Sequence, residues 1–132
     1  MIQPFSPQPD AAVFEELAYR ALDHLPARFR EYLGDVVIRI EEFADREALE
    51  AVGLDDRWEL TGLYHGRPLG EQSIWSSGEM PPMILLYRAP LLRECRETGV
   101  DLADLITHVV VHEVGHHFGL SDDDMHRIEE EE

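Results

Sequence analysis

The segment from Asp101 to Phe118 constrains the fold of this chain more than any other stretch. Its apolar residues fall on nearly every side of a helix: Leu102, Leu105, Ile106, Val109, Val110, Val111, Val114 and Phe118. A helix that is apolar all round, rather than along one stripe, has to be buried by other parts of the protein. We therefore expect a buried helix over these residues.

This apolar helix carries the string His112-Glu113-Val114-Gly115-His116, an H-E-x-x-H motif. Two residues four apart on a helix lie one turn above each other on the same face, so both imidazoles can bind one metal ion at about 2.0–2.1 Å. Glu113 lies on the flank of that face, where its carboxylate can contact a metal-activated water as general base. Burying these side chains without partners would cost several kcal/mol. The motif therefore predicts a metal site with His112 and His116 as ligands.

A third ligand is expected shortly after the helix. Gly119 follows His116 by three residues and Asp122 follows by three more, and a glycine at a helix end lets the chain reverse. Asp122 is therefore the predicted third ligand, which leaves a fourth position for water. The alternative is that Asp122 caps a helix, in which case Asp123, Asp124 or His126 is the third ligand. His108 lies on the same face as His112 and is expected to be a polar neighbour rather than a ligand.

The rest of the chain predicts a single α+β domain over residues 1–132 with a small three-stranded sheet. Residues 1–9 form an extended lead-in, residues 65–82 a long loop and residues 128–132 an acidic tail. Helices are predicted from Asp10 to Leu25, around Phe29–Leu33, and over Asp45–Val52, Pro90–Glu97 and Ser121–Glu132. The predicted strands are Val36–Ile40, Leu60–Tyr64 and Met83–Tyr87. Asp10 and Asp45 are expected to cap helix starts, and Gly53 and Gly99 to end helices.

The charge of the chain narrows the class of partner. The formal net charge is −17, with 28 Asp and Glu against 11 Lys and Arg. Nucleic acids and anionic membranes are bound by concentrated cationic side chains, so neither is expected as a partner.

The single cysteine excludes an internal disulfide framework. The start of the sequence has no signal-peptide pattern, which predicts a cytoplasmic protein. All basic residues are Arg, and the absence of Lys and Asn favours a GC-rich bacterial source.

These motifs resemble those of the minimal zincin-like metallopeptidase family, which consists of small bacterial domains. The resemblance covers most of the chain: Phe14–Leu25 followed by Pro26, Val36–Ile40, Leu63–Leu69, Pro82–Tyr87 and His112–Asp122. The string from His112 to Asp122 is also similar to that of the larger metzincins, with Asp122 in place of their third histidine. The resemblance implies a minimal zincin-like fold whose active-site helix carries the H-E-x-x-H motif. It also implies that an extended peptide could pair along Met83–Tyr87 as an edge strand.

The function expected from these features is zinc-dependent hydrolysis of peptide bonds. One zinc ion per chain would activate water, Glu113 would act as general base, and the partner would be a peptide or protein substrate. Tyr64, His65 and Tyr87 are all candidates to stabilise the oxyanion. The sequence does not choose among these three.

Two other functions are compatible with parts of the pattern. Only 13 residues follow Gly119, too few for the lower lobe that completes a metzincin cleft. A non-catalytic zinc-binding domain that interacts with a peptide or protein is therefore the alternative. A metal-dependent ribonuclease of the ribosome-maturation type uses a similar histidine string, but it lacks the Glu after the first His. The acidity of this chain also argues against binding RNA.

Overall fold

A computed structural model of the chain describes residues 9–33, 36–65, 82–118, 123 and 127. Within these residues the helices are α1 (Ala11–Asp23), α2 (Ala27–Leu33), α3 (Arg46–Ala51), α4 (Arg88–Thr98) and α5 (Leu102–Phe118). The strands are β1 (Val37–Glu41), β2 (Gly62–His65) and β3 (Met83–Tyr87), and a short 3-10 helix spans Arg57–Glu59. The predicted α+β class and three-stranded sheet are confirmed. Of the predicted final helix over Ser121–Glu132, only Asp123 and Arg127 are described, and both are helical. Most of the lead-in and most of the 65–82 loop lie outside the described residues.

The predicted helix ends are confirmed by their local hydrogen bonds. The Asp10 carboxylate accepts from the Val13 N–H at 3.1 Å, and the Asp45 carboxylate accepts from the Ala48 N–H at 2.8 Å. Gly99 follows α4 with φ of 78°, and Gly53 follows α3 with φ of 74°. Both glycines adopt the left-handed conformation that terminates helices and that side chains with a Cβ rarely tolerate.

The sheet has the strand order β1-β3-β2, with β1 parallel and β2 antiparallel to β3. The expectation that Met83–Tyr87 forms a sheet edge is therefore wrong, because β3 is the central strand. Its side chains are apolar on both faces, and four of its five residues are buried. A short run that is apolar throughout is typical of a strand covered on both faces.

The main core lies between the sheet and the helices α1 and α5. Its largest contributors are Phe14, Leu22 and Leu25 near α1, Ile38, Ile84 and Leu86 on the sheet, Leu91, and Leu105, Ile106, Val109, Val110, Val111 and Val114 on α5. The opposite face of the sheet packs against α3 in a smaller cluster of Ala44, Leu49, Leu60 and Tyr87. The two faces of β3 thus contribute to different clusters, as the alternation of side chains along a strand requires.

The outer side of β1 makes a contact with a side chain of α1. The backbone N–H of Ile38 donates to the hydroxyl of Tyr19 at 3.1 Å, while the neighbouring Val37 N–H points inward and donates to the Pro82 carbonyl at 2.9 Å. Successive N–H groups of a strand point to opposite sides. The Tyr19 hydroxyl therefore lies where the backbone of a further strand would pair.

Strand β2 approaches α5 so closely that only glycine fits at its first residue. A Cβ atom at Gly62 would lie 2.6 Å from Cγ1 of Val109 and 3.3 Å from the carbonyl oxygen of Leu85. The first distance is far below van der Waals contact, and the short branched side chain of Val109 has little freedom to move. Gly62 therefore sets the distance between the sheet and α5.

We expect Gly62→Ala to lower the free energy of unfolding by about 1–3 kcal/mol, because the added methyl group overpacks the contact with Val109. Urea unfolding of the full chain followed by circular dichroism measures the change. The double variant Gly62→Ala, Val109→Ala should recover much of the loss, since it removes the atom that the new methyl group meets. A Gly62→Ala chain at least as stable as the wild type would show that the spacing is not fixed by this glycine.

Candidate metal centre and active-site helix

Helix α5 begins with a capping interaction and continues without interruption through the H-E-x-x-H motif. The Asp101 carboxylate accepts from the Ala103 N–H at 3.0 Å, and the Asp101 carbonyl accepts from the Leu105 N–H at 2.9 Å. Ile106, Val110 and Val114 are completely buried along one side of the helix, and Leu105 and Val109 on an adjacent side are also buried. The predicted buried helix is therefore confirmed, and its burial fixes the direction in which the motif residues point.

The structure describes the side chains of His112 and Glu113 from the predicted site. His112 is half-buried, and Glu113 is 7% exposed. Among the described residues, Glu113 is the only polar or charged side chain in the buried class. Burying a carboxylate among apolar side chains costs free energy unless the carboxylate is paired or hydrogen-bonded. Its position beside His112 is the arrangement that the motif predicts for a general base.

The other predicted ligands are only partly described. The backbone of His116 lies within α5, one turn after His112, but its side chain is outside the described residues, as are Asp122, Asp124 and His126. Asp123, an alternative ligand, is exposed. Within the described part of the chain, no three His, Cys, Asp or Glu side chains come together as a metal site. The third ligand therefore stays a prediction.

His108 lies against His112 on the same face of α5. Their ring centroids are 4.3 Å apart with an angle of 57° between the ring planes. His108 itself is exposed, whereas His112 is half-buried. The prediction that these residues share a face of the helix is confirmed. Of the two imidazoles, His112 is the more buried. Its role as a metal ligand stays a prediction.

The donor set fits a zinc ion by its chemistry. Neutral imidazole is the commonest nitrogen ligand of zinc, and a nearby carboxylate that does not bind the ion directly is available as a base. Helix α5 holds His112 and the backbone of His116 one turn apart. The burial of Glu113 provides the low-dielectric surroundings in which such a carboxylate interacts strongly with charge.

The three oxyanion candidates fall on different faces of the sheet. Tyr64 packs against the core cluster that contains α5, and burial raises the pKa of its phenol above the ordinary value. His65 and Tyr87 instead line a groove on the other face of the sheet, where Tyr87 is 1% exposed. Of the three, Tyr64 is therefore the one whose side chain lies on the same face of the sheet as α5.

Tyr87 is surrounded by negative charge. Burial raises the pKa of its phenol most, and the carboxylates of Glu41, Asp45 and Glu113 raise it further, to about 12 from an ordinary value of 10.0. The influence of Glu113 means that its carboxylate lies within electrostatic range of the carboxyl end of β3. Residues on β1, α3 and α5 therefore act on a single buried phenol.

The raised pKa of Tyr87 predicts a loss of stability in alkali. The neutral phenol is favoured in the folded chain, so its contribution is complete below pH 10 and is lost as the pH rises towards 12. We expect the free energy of unfolding to fall by about 1 kcal/mol near pH 11 and by about 2–3 kcal/mol once the group has titrated. Urea unfolding between pH 8 and pH 11.5 measures this slope. Tyr87→Phe should show a shallower slope than the wild type, and parallel slopes would contradict the assignment.

Sequence analysis missed two features of this region. Gly62 was not singled out, although a glycine inside a strand is a known sign of close backbone approach. The shared negative environment of Tyr87 also went unpredicted, because it depends on three elements that are distant in sequence. Only the packing of the sheet against α3 and α5 brings those carboxylates near one phenol.

In the residues that the structure describes, no helix has the length and hydropathy needed to cross a bilayer.

Comparison with curated proteins gives no significant match. Comparison with family models gives a match to the zincin-like metallopeptidase model over residues 33–132. That match includes all three strands, α3, α4 and α5 with its motif, and it begins at the last residue of α2. The chain therefore belongs to the zincin-like metallopeptidase family.

Proposed function

We propose that this protein is a zinc-dependent metallopeptidase in which His112 and His116 hold the metal ion and Glu113 is the general base. The observation that carries the proposal is the buried carboxylate of Glu113, one residue after the half-buried His112, on a helix of a zincin-like chain. Asp122 is proposed as the third ligand, with Asp123, Asp124 and His126 as alternatives. The expected stoichiometry is one zinc ion per chain.

The chemistry follows from the side chains. A zinc ion at this site would polarise the scissile carbonyl and make water a stronger nucleophile at neutral pH. Glu113 accepts a proton from the attacking water and delivers it to the amine nitrogen as the C–N bond breaks. The low exposure of Glu113 keeps bulk water away from its carboxylate. The Glu113 carboxylate is therefore the group that the chain itself supplies for proton transfer.

The substrate is proposed to be an extended peptide that pairs with the outer side of β2. The Thr61 carbonyl accepts from the Tyr87 N–H at 3.0 Å and so points towards β3. By alternation, the backbone groups of Gly62 point away from β3. Gly62 also lies against α5, where an added Cβ atom would meet Val109. A peptide added at this edge would therefore run beside the helix that carries the motif.

Metal content tests the proposal first. We expect the wild-type chain, purified without an affinity metal or chelator, to contain about one zinc ion by mass spectrometry, and His112→Ala to contain none. His108→Ala is the matched control, because it removes an imidazole one turn earlier on the same helix and should leave zinc bound. Equal zinc loss in both variants would contradict the ligand assignment. A folded wild-type chain that cannot take up added zinc would overturn the proposed function.

A further inference from the structure

The face of the sheet turned away from α5 carries a groove of about 340 Å³ that the proposed peptidase chemistry does not use. Its floor consists of side chains from β2 and β3, and α3 forms one wall. Its lining residues include Glu41, Asp45, Glu47, Leu63, Leu85 and Tyr87. All of these residues belong to the described part of the chain. The groove is therefore a concave surface on the opposite face of the sheet from α5.

The floor of the groove is apolar and incompletely covered. Leu63 and Leu85 are only half-buried, although they lie on neighbouring strands in direct register. On the other face of β3, Ile84 and Leu86 are fully buried by the main core. The partly exposed aliphatic surface of β3 thus lies only on the face that forms the groove. A concave apolar surface of this kind is a typical binding site.

The rim of the groove is negative. Glu41, Asp45 and Glu47 contribute three carboxylates, whereas Arg39 contributes one guanidinium that pairs with Glu41 at 3.1 Å. The charges of Glu41 and Asp45 also raise the pKa of Tyr87, which lies at one end of the groove. An occupant that complements this surface combines an aliphatic group for the floor with a cation for the rim.

We propose that this groove binds a segment of a partner protein in which an aliphatic residue stands next to Arg or Lys. The volume is at the small end of the range of about 300–1,000 Å³ for ligand sites, which suits a few side chains rather than a large ligand. Helix α5, which carries Glu113, packs on the face of the sheet opposite the groove. An occupant of the groove therefore lies across the sheet from α5, and the site acts as an attachment surface for the protein.

Binding of a labelled peptide to the full chain tests this proposal. The probe is the blocked peptide Ac-Leu-Arg-Leu-Arg-NH₂ carrying fluorescein, followed by fluorescence polarisation at two salt concentrations. Glu47→Arg reverses a charge at the rim, and Glu50→Arg makes the same charge change on the same helix outside the groove. We expect Glu47→Arg to weaken binding by roughly 5- to 20-fold and Glu50→Arg to change it less than about 2-fold.

A second variant tests shape instead of charge. Ala51 is exposed on the wall formed by α3, so Ala51→Trp fills the groove without disturbing the core, and we expect it to abolish binding. Equal weakening by Glu47→Arg and Glu50→Arg would overturn the proposal, because it would reveal attraction to the acidic surface in general. Undiminished binding by Ala51→Trp, or equal binding of Ac-Leu-Glu-Leu-Glu-NH₂, would also overturn it. If the wild type self-associates and Ala51→Trp abolishes that association, the occupant of the groove is a second copy of the chain and not a partner protein.

Discussion

Glu113→Gln should lower the rate of peptide hydrolysis by about 10²- to 10⁴-fold while zinc content stays at the wild-type level. The amide keeps the size of the carboxylate but cannot accept a proton from water, and general-base catalysis typically contributes a factor of this order. Because Glu113 is buried, bulk water and buffer cannot easily replace it. The measurement is turnover of a peptide library by mass spectrometry, with kcat determined on the best substrate.

The control for this prediction removes a different carboxylate from the same helix. Asp104→Asn lies in the first turn of α5 at an exposed position and should leave kcat within about 2-fold of the wild type. Hydrolysis by Glu113→Gln at the wild-type rate would contradict the role of Glu113. A wild-type chain that binds zinc but cleaves no peptide would favour the non-catalytic zinc-binding domain instead.

Phe14→Ala should lower the free energy of unfolding by about 3–5 kcal/mol, the cost of deleting a fully buried aromatic side chain. Phe14 is 0% exposed and belongs to the core cluster that joins α1, the sheet and α5. Domains of this size are stabilised by only about 5–15 kcal/mol, so the loss would be a large share of the total. Urea unfolding followed by circular dichroism and by tryptophan fluorescence measures the effect.

The adjacent residue provides the matched control. Val13 is 40% exposed, so Val13→Ala should change the free energy of unfolding by less than about 0.5 kcal/mol. The comparison is informative because α1 precedes residue 33, where the family match begins, yet packs against α5. A cost below about 1 kcal/mol for Phe14→Ala would mean that the helix carrying the motif does not need α1.

Local signals in the sequence predicted the secondary structure well. Asp10 and Asp45 begin helices because their carboxylates can satisfy backbone N–H groups within the next turn, and Gly99 ends one because it tolerates positive φ. These effects act over three or four residues, so they can be read without the tertiary structure. The apolar character of α5 likewise predicted its burial without any knowledge of its neighbours.

The order of the strands could not be deduced from such signals. Met83–Tyr87 was predicted as an edge, whereas pairing with both β1 and β2 places it at the centre. Strand order depends on which backbones meet across long stretches of sequence, and a period-two pattern reports only the faces of a strand. The motif predicted His112 as a metal ligand on a buried helix, with Glu113 on the flank of the same face. It could not predict which of Tyr64, His65 and Tyr87 shares the face of the sheet that packs against that helix.

The hydrogen bond from the Ile38 backbone to the Tyr19 hydroxyl has a consequence for the behaviour of the protein at high concentration. Fibrils of the cross-β type grow when each copy offers two strand edges, one to receive a neighbour and one to extend the stack. At β1 an incoming strand would have to displace the tyrosine and break that bond. Stacking of copies through this side of the sheet therefore costs a hydrogen bond, which disfavours fibre formation in a concentrated solution.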